Sequence, residues 1–193
     1  MTFAQLCSNV RADLGQTHRY AHCVRVARLA DRLALRHGES TAHARLAGML
    51  HDLARLYSGE RLLAECRARS MPIAEYEAAS PILLHARLGA YLARERYGIT
   101  DASILSAIAK HTTADRHMSR LDIILYLADA LEPGRSYEGR ERLEALAFSS
   151  LEEAYHEVLV GSVDYCRRME VTVAPPTLEA IAALKDQARP ILG

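Results

Sequence analysis

Apolar residues recur along most of this 193-residue chain at the three- and four-residue spacing of a helix face, and the gaps between them carry helix start and stop signals. Thr17 is placed to cap a helix running to about residue 37, where Gly38 supplies the stop. Ser40 or Thr41 opens a second helix, which carries His51 and Asp52 and extends to about residue 56. Ser58 caps a third, reaching about residue 69, and the stretch MPIAEYEAASP reads as a connector. Helices then follow over 82–97, closed by Gly98, and from Thr100 or Asp101 to near His111. Ser119 caps the most apolar segment, LDIILYLADALE, which Pro133 and Gly134 terminate. Three more helices are expected over 138–148, 151–169 and 178–188, the last capped by Thr177. VTVA at 171–174 is the one strand-like stretch and is too short to shape the fold. The pattern predicts a single all-α domain over 1–193 with seven to nine helices, and it shows no internal repeat or long linker.

Several costly polar groups interrupt this apolar pattern. Asp129 lies in IILYLADAL, a segment apolar all round, where an unpaired carboxylate would cost several kcal/mol. Taken alone, it reads as half of a buried ion pair. His51 and Asp52, in GMLHDLARLY, project about 100° apart and can both lean toward one point near the helix end. His22 shares a face with Val26, Leu29 and Leu33, with Arg19 one turn earlier. His85 lies over Leu88, Gly89 and Leu92, and His111 ends a helix whose buried side is Ile104, Ala107 and Ile108. Each histidine alone is a satisfied core residue. Together, these groups come from about five helices, and one metal centre, mono- or dinuclear, accounts for all of them. By contrast, His18, His37, His43, His117 and His156 sit at helix ends or among charged neighbours and are expected at the surface.

Composition narrows the choice of partners. The 24 basic residues balance the 24 acidic ones, so no overall field favours nucleic acid or an anionic membrane, and any anion must be held by a local cluster. Lysine is confined to Lys110 and Lys185, which leaves arginine as the working cation. No apolar run approaches the roughly 18–20 residues that span a bilayer, and MTFAQLCSNVRADLG lacks signal-peptide features, so the expected compartment is the cytoplasm. Cys7, Cys23, Cys66 and Cys166 are scattered without a CxxC and read as reduced packing residues.

The order His22, His51-Asp52, Asp129 resembles the H…HD…D signature of the HD superfamily of metal-dependent phosphohydrolases. More narrowly, HRYAH (18–22), GMLHDLAR (48–55), SPILLHARLGA (80–90), AKHTT (109–113) and LDIILYLADALEPGR (121–135) resemble the bacterial YqeK family over about residues 15–140. The resemblance implies an HD-type helical bundle that hydrolyses diadenosine tetraphosphate symmetrically to two ADP. It implies iron as the first choice of metal, with manganese, cobalt, magnesium and zinc as alternatives. His22, His51, Asp52 and Asp129 would hold one ion, and His85 and His111 a second, bridged by Asp52. Arg19, Thr112 and Arg135 match positions near the phosphates. The family often has Lys where this chain has Arg55 and Ile123; at 55, arginine keeps the charge for binding phosphate but is a poorer proton donor. Glu132 reads either as an orienting group for Arg135 or as a surface or capping residue. Residues 141–193 carry no motif and are expected to serve as scaffold or lid. The alternatives are another HD activity, on mononucleotides or cyclic nucleotides, and a nucleotide sensor that does not hydrolyse. A homodimer is compatible with the sequence.

Overall fold

A computed structural model describes residues 1–15 and 17–187. Among these residues there are eleven α-helices and no strand: α1 (Phe3–Leu14), α2 (Thr17–Arg36), α3 (Thr41–Leu50), α4 (Gly59–Ala68), α5 (Glu75–Ala79), α6 (Leu84–Tyr97), α7 (Ala102–Lys110), α8 (Arg120–Leu131), α9 (Arg140–Ser149), α10 (Leu151–Arg168) and α11 (Pro175–Gln187). The all-α expectation holds, but the count exceeds seven to nine because two helices lie outside the expected elements. One is α1, opened by a reciprocal cap between Thr2 and Gln5 and closed by Gly15 in the left-handed region. The other is α5, five residues inside the expected connector.

Boundaries also shift. α3 stops at Leu50 rather than near residue 56, and the chain continues in tight turns bonded Leu53 N to Leu50 O, Arg55 N to Asp52 O and Tyr57 N to Ala54 O. Leu50, Leu53 and Ala54 are buried here, as they would be on a continued helix, so the apolar pattern could not register the change. The 82–97 helix is preceded by a 3-10 turn, Pro81–Leu83, before α6 begins. α11 starts at Pro175, where a missing N–H costs nothing, and not after Thr177. Thr177 instead donates its hydroxyl to the Thr113 carbonyl at 2.7 Å. VTVA is an irregular connection between α10 and α11. The expected helix end at 188 and the capping side chain of Thr17 lie outside the described residues.

α2 and α8 form the centre, with α3 packed across both, α7 on α3 and α8, and α6 on α7. Leu29, Leu33, Leu50, Leu88, Leu92, Ile108 and Ile124 fill the space between them and are fully buried, each contributing roughly 1.5–3 kcal/mol of transfer energy. α10 covers the far side of α8. The four cysteines are free, with Cys23 and Cys66 buried in the packing. No helix among the described residues is long and apolar enough to cross a membrane.

The α2–α3 contact is unusually close because Gly48 faces the α2 backbone. A Cβ at Gly48 would fall 2.6 Å from the Ala27 Cα and 2.8 Å from its nitrogen. Gly48→Ala is therefore expected to destabilise the protein by about 3 kcal/mol, although alanine is the better helix former. Calorimetry should show Tm lowered by roughly 6–12 °C; an unchanged Tm would mean that the helices separate at no cost.

Candidate metal centre

Six side chains from five separate segments meet at the end of α3. His22 projects from the second turn of α2, His51 and Asp52 from the turn after α3, His85 from the start of α6, His111 from the cap of α7 and Asp129 from the last turn of α8. His22, His51, Asp52, His85 and His111 are all buried. Asp129 departs from expectation, with a side chain 20% exposed. Most of α8 is covered by α2, α3 and α10, but this one side meets an open cavity.

All four imidazoles are locked the same way. The Nδ1–H of His51 donates to Gly48 O at 2.8 Å, that of His85 to Ile82 O at 2.5 Å, and that of His111 to Ile108 O at 2.7 Å. A carbonyl only accepts, so the proton sits on Nδ1 in each case. His22 donates Nδ1–H to Glu132 at 3.0 Å. Each ring therefore turns Nε2 inward.

These nitrogens and the carboxylates fall into two groups. His22 Nε2 is 3.1 Å from Asp129 Oδ1, 3.3 Å from His51 Nε2 and 3.7 Å from Asp52 Oδ2, while His51 Nε2 is 3.4 Å from the same Asp52 oxygen. On the other side, His85 Nε2 is 3.1 Å from His111 Nε2, and Asp52 Oδ1 lies 3.5 Å from the first and 3.9 Å from the second. Donors around one ion at about 2.0–2.2 Å stand roughly 3–4 Å apart. Both groups match that spacing, and Asp52 belongs to each through a different oxygen.

The electrostatics point the same way. Burial, reinforced by His51 and His85, pushes His111 down to about 3, and burial also lowers His85. These two rings are neutral, so their Nε2 atoms present lone pair to lone pair at 3.1 Å, and Thr112 Oγ1, 3.2 Å from both, can donate to only one. A cation between them removes the conflict. Burial opposes charge on His51, but Asp52 and then Asp129 outweigh it and raise the ring to about 9. Asp52 and Asp129 are held well below the usual carboxylate range despite burial, Asp52 by His51 and Asp129 by His22, His51 and Arg135. The donor set fits a hard or borderline divalent ion in both positions.

Around the centre lies a cavity of about 300 Å³ lined by Arg19, Arg55, Thr112, Tyr126 and Arg135 and, of the inner residues, by Asp52, His85, His111 and Asp129. Arg19 reaches Asp52 Oδ2 at 2.8 Å, and Arg135 reaches Asp129 Oδ1 at 2.6 Å. Eight of the ten residues singled out from the sequence line this cavity, and the other two, His22 and His51, lie against its Asp52 and Asp129. Of the histidines expected at the surface, His18, His117 and His156 are exposed, whereas His37 is half-buried and bonds through Nε2 to Ala147 O at 2.7 Å, and His43 is half-buried beside Ser103.

One participant does more than the sequence reading expected, and a second escaped it. Glu132, only 1% exposed, is not a surface residue: it is the C-cap of α8 and its carbonyl accepts the Arg135 N–H at 2.9 Å, while its carboxylate turns to other partners. It fixes His22, binds Arg25 Nε and NH2 and accepts the Gly134 N–H at 2.5 Å. Against the effect of burial, Arg25, His22 and Gly134 N–H lower its carboxyl to about 2. Tyr126, three residues before Asp129 on the same face, lines the cavity and packs edge-on against Tyr155.

An all-helical bundle that gathers four inward Nε2 atoms around a shared carboxylate is a metal-dependent helical enzyme scaffold. The chain belongs to the HD-domain family, whose sequence profile matches residues 19–134, a span containing all six inner residues, and its relatives lie in the YqeK branch. One relative is the symmetrical bis(5'-nucleosyl)-tetraphosphatase of Bacillus subtilis (strain 168), 32% identical over 83% of this chain and 86% of that protein. The protein of the same name from Halalkalibacterium halodurans is 35% identical over the same shares. The crystal structure of a predicted HD superfamily hydrolase involved in NAD metabolism from Clostridium acetobutylicum superposes with a TM-score of 0.92 at 30% identity, covering 97% of this chain and 98% of that one.

Proposed function

We propose that this protein hydrolyses diadenosine tetraphosphate at its midpoint to give two ADP. The observation that carries the reading is the pair of donor groups sharing Asp52, set in a cavity walled by three arginines. Relatives that cover most of the chain and bear the name of this activity support it.

His22, His51, Asp129 and Asp52 Oδ2 would hold one ion, and His85, His111 and Asp52 Oδ1 the other. The mixture of imidazole and carboxylate suits iron, and also manganese, cobalt, zinc or magnesium. Metals held there supply Lewis acidity and make water a competent nucleophile near neutral pH. Asp52 aligns the two positions. Arg19, Arg55 and Arg135 bind the phosphate chain, where guanidinium can engage two oxygens at once and offset charge that grows in the transition state. Thr112 Oγ1, beside His85 and His111, is placed to donate to a phosphate oxygen. Arg55 makes no ion pair among the described residues and enters the cavity with its charge uncommitted; its role is binding rather than proton donation.

We further propose that the chain is one functional domain in which residues 141–193 are scaffold rather than lid. No described residue after 140 lines the cavity, and α10 instead buttresses α8, which carries Asp129. A nucleotide substrate accords with action in the cytoplasm.

Product analysis tests the reading. Metal-loaded protein incubated with diadenosine tetraphosphate should yield ADP alone by ion-exchange chromatography. AMP with ATP would overturn symmetrical cleavage, and tight binding without product would make the protein a sensor.

A further inference from the structure

We propose that the loop between α8 and α9 forms a second nucleoside subsite, with the Tyr137 ring as the platform for the distal base. This rests on the function proposed above. A dinucleoside tetraphosphate cut at its midpoint has a nucleoside diphosphate on each side of the scissile bond, so the two bases must lie on opposite sides of the metal centre. The cavity at the centre, about 300 Å³, lies at the lower end of the range for ligand pockets and is walled largely by charged groups. It accommodates the phosphate chain and one nucleoside end.

A second cavity, about 410 Å³, opens beside it within residues 135–142. Arg135 lines both, so a phosphate chain bound at Arg135 leads directly from one to the other. Tyr137 stands at the junction. Its hydroxyl donates to Ala130 O at 3.2 Å, and Ala130 itself lines the first cavity, yet the residue remains 45% exposed. The hydroxyl bond holds one end of the ring while part of its surface stays open to solvent.

The loop around it is held at both ends. Arg140 NH1 donates to Leu131 O at 2.7 Å and to Glu144 at 2.6 Å, and Gly139 turns the chain at φ +84°, a conformation that favours glycine. The ring is thus presented before any ligand arrives. A pre-positioned aromatic face beside an arginine matches the chemistry of a purine base, which stacks on the ring.

The test compares Tyr137→Ala and Tyr137→Phe with diadenosine tetraphosphate and with adenosine 5'-tetraphosphate, which has the same phosphate chain but only one nucleoside. Tyr137→Ala should raise KM for the dinucleotide roughly tenfold, the effect of losing one base–aromatic stack. It should leave kcat unchanged and alter the inhibition constant of adenosine 5'-tetraphosphate less than about twofold, because that ligand keeps the intact subsite. Tyr137→Phe keeps the ring but loses its hydroxyl anchor and should raise KM clearly less than Tyr137→Ala does. An unchanged KM in Tyr137→Ala, or equal weakening of both ligands, would overturn the subsite. Wild-type protein that failed to cleave the dinucleotide would instead overturn the function on which the subsite depends.

Discussion

Asp52→Ala is expected to abolish metal loading and turnover together. Asp52 is the one side chain shared by both donor groups, Oδ2 facing His22 and His51 and Oδ1 facing His85 and His111. Its removal takes a ligand from each position and leaves four rings and Arg19 without the anion they surround. Elemental analysis should show metal falling below one ion per chain, and kcat should drop by more than roughly a thousandfold. Asp52→Asn separates charge from shape: it preserves the packing at this 3% exposed position yet is expected to lose at least one ion. Full activity in either variant would refute a shared carboxylate at the centre.

The second large effect is expected at Glu132, which would hold no ion itself and acts through its bond to His22. Glu132→Ala leaves Arg25 without its carboxylate partner and frees the His22 ring to rotate or change tautomer. Loss of such a supporting partner typically weakens metal affinity about 10–100-fold. Competition with a chelator of known affinity should show that weakening, while saturating metal restores much of the turnover. Glu132→Gln keeps an acceptor for His22 and should fall between wild type and alanine. If both variants bound metal as tightly as wild type, the carboxylate would serve only to hold α2 against the 132–134 turn. Gly134 is part of the same arrangement, since a Cβ there would collide with the Arg25 guanidinium.

Much of this centre was legible in the sequence because burial periodicity and chemical cost conflict at its residues. His22 shares its face with Val26, Leu29 and Leu33, and all four are buried; Asp129 stands out as the one charge in the apolar segment 123–131. What could not be read were features that leave periodicity unchanged. The end of α3 was invisible because Leu53 and Ala54 are buried in the tight turns that follow. Glu132 was ambiguous for a related reason. α8 ends at Leu131, and Glu132, with φ −57° and ψ 146°, turns the chain out of the helix, so helical phase no longer indicates where its side chain points. α5 and the 3-10 turn are too short to show a period, yet the turn supplies Ile82 O, the acceptor that orients His85.

The way the four imidazoles are held also bears on how the centre tolerates change during evolution. Three of them lean on carbonyls three residues earlier in the chain, at Gly48, Ile82 and Ile108. Every amino acid has a carbonyl, so no point substitution deletes these supports, and neighbouring side chains are free to drift while the rings keep their aim. His22 alone depends on another residue's side chain. Among the supports of the rings, as distinct from the inner residues themselves, heritable vulnerability is therefore concentrated in the Arg25–Glu132 pair, and lineages losing either member should lose metal retention before they lose the fold.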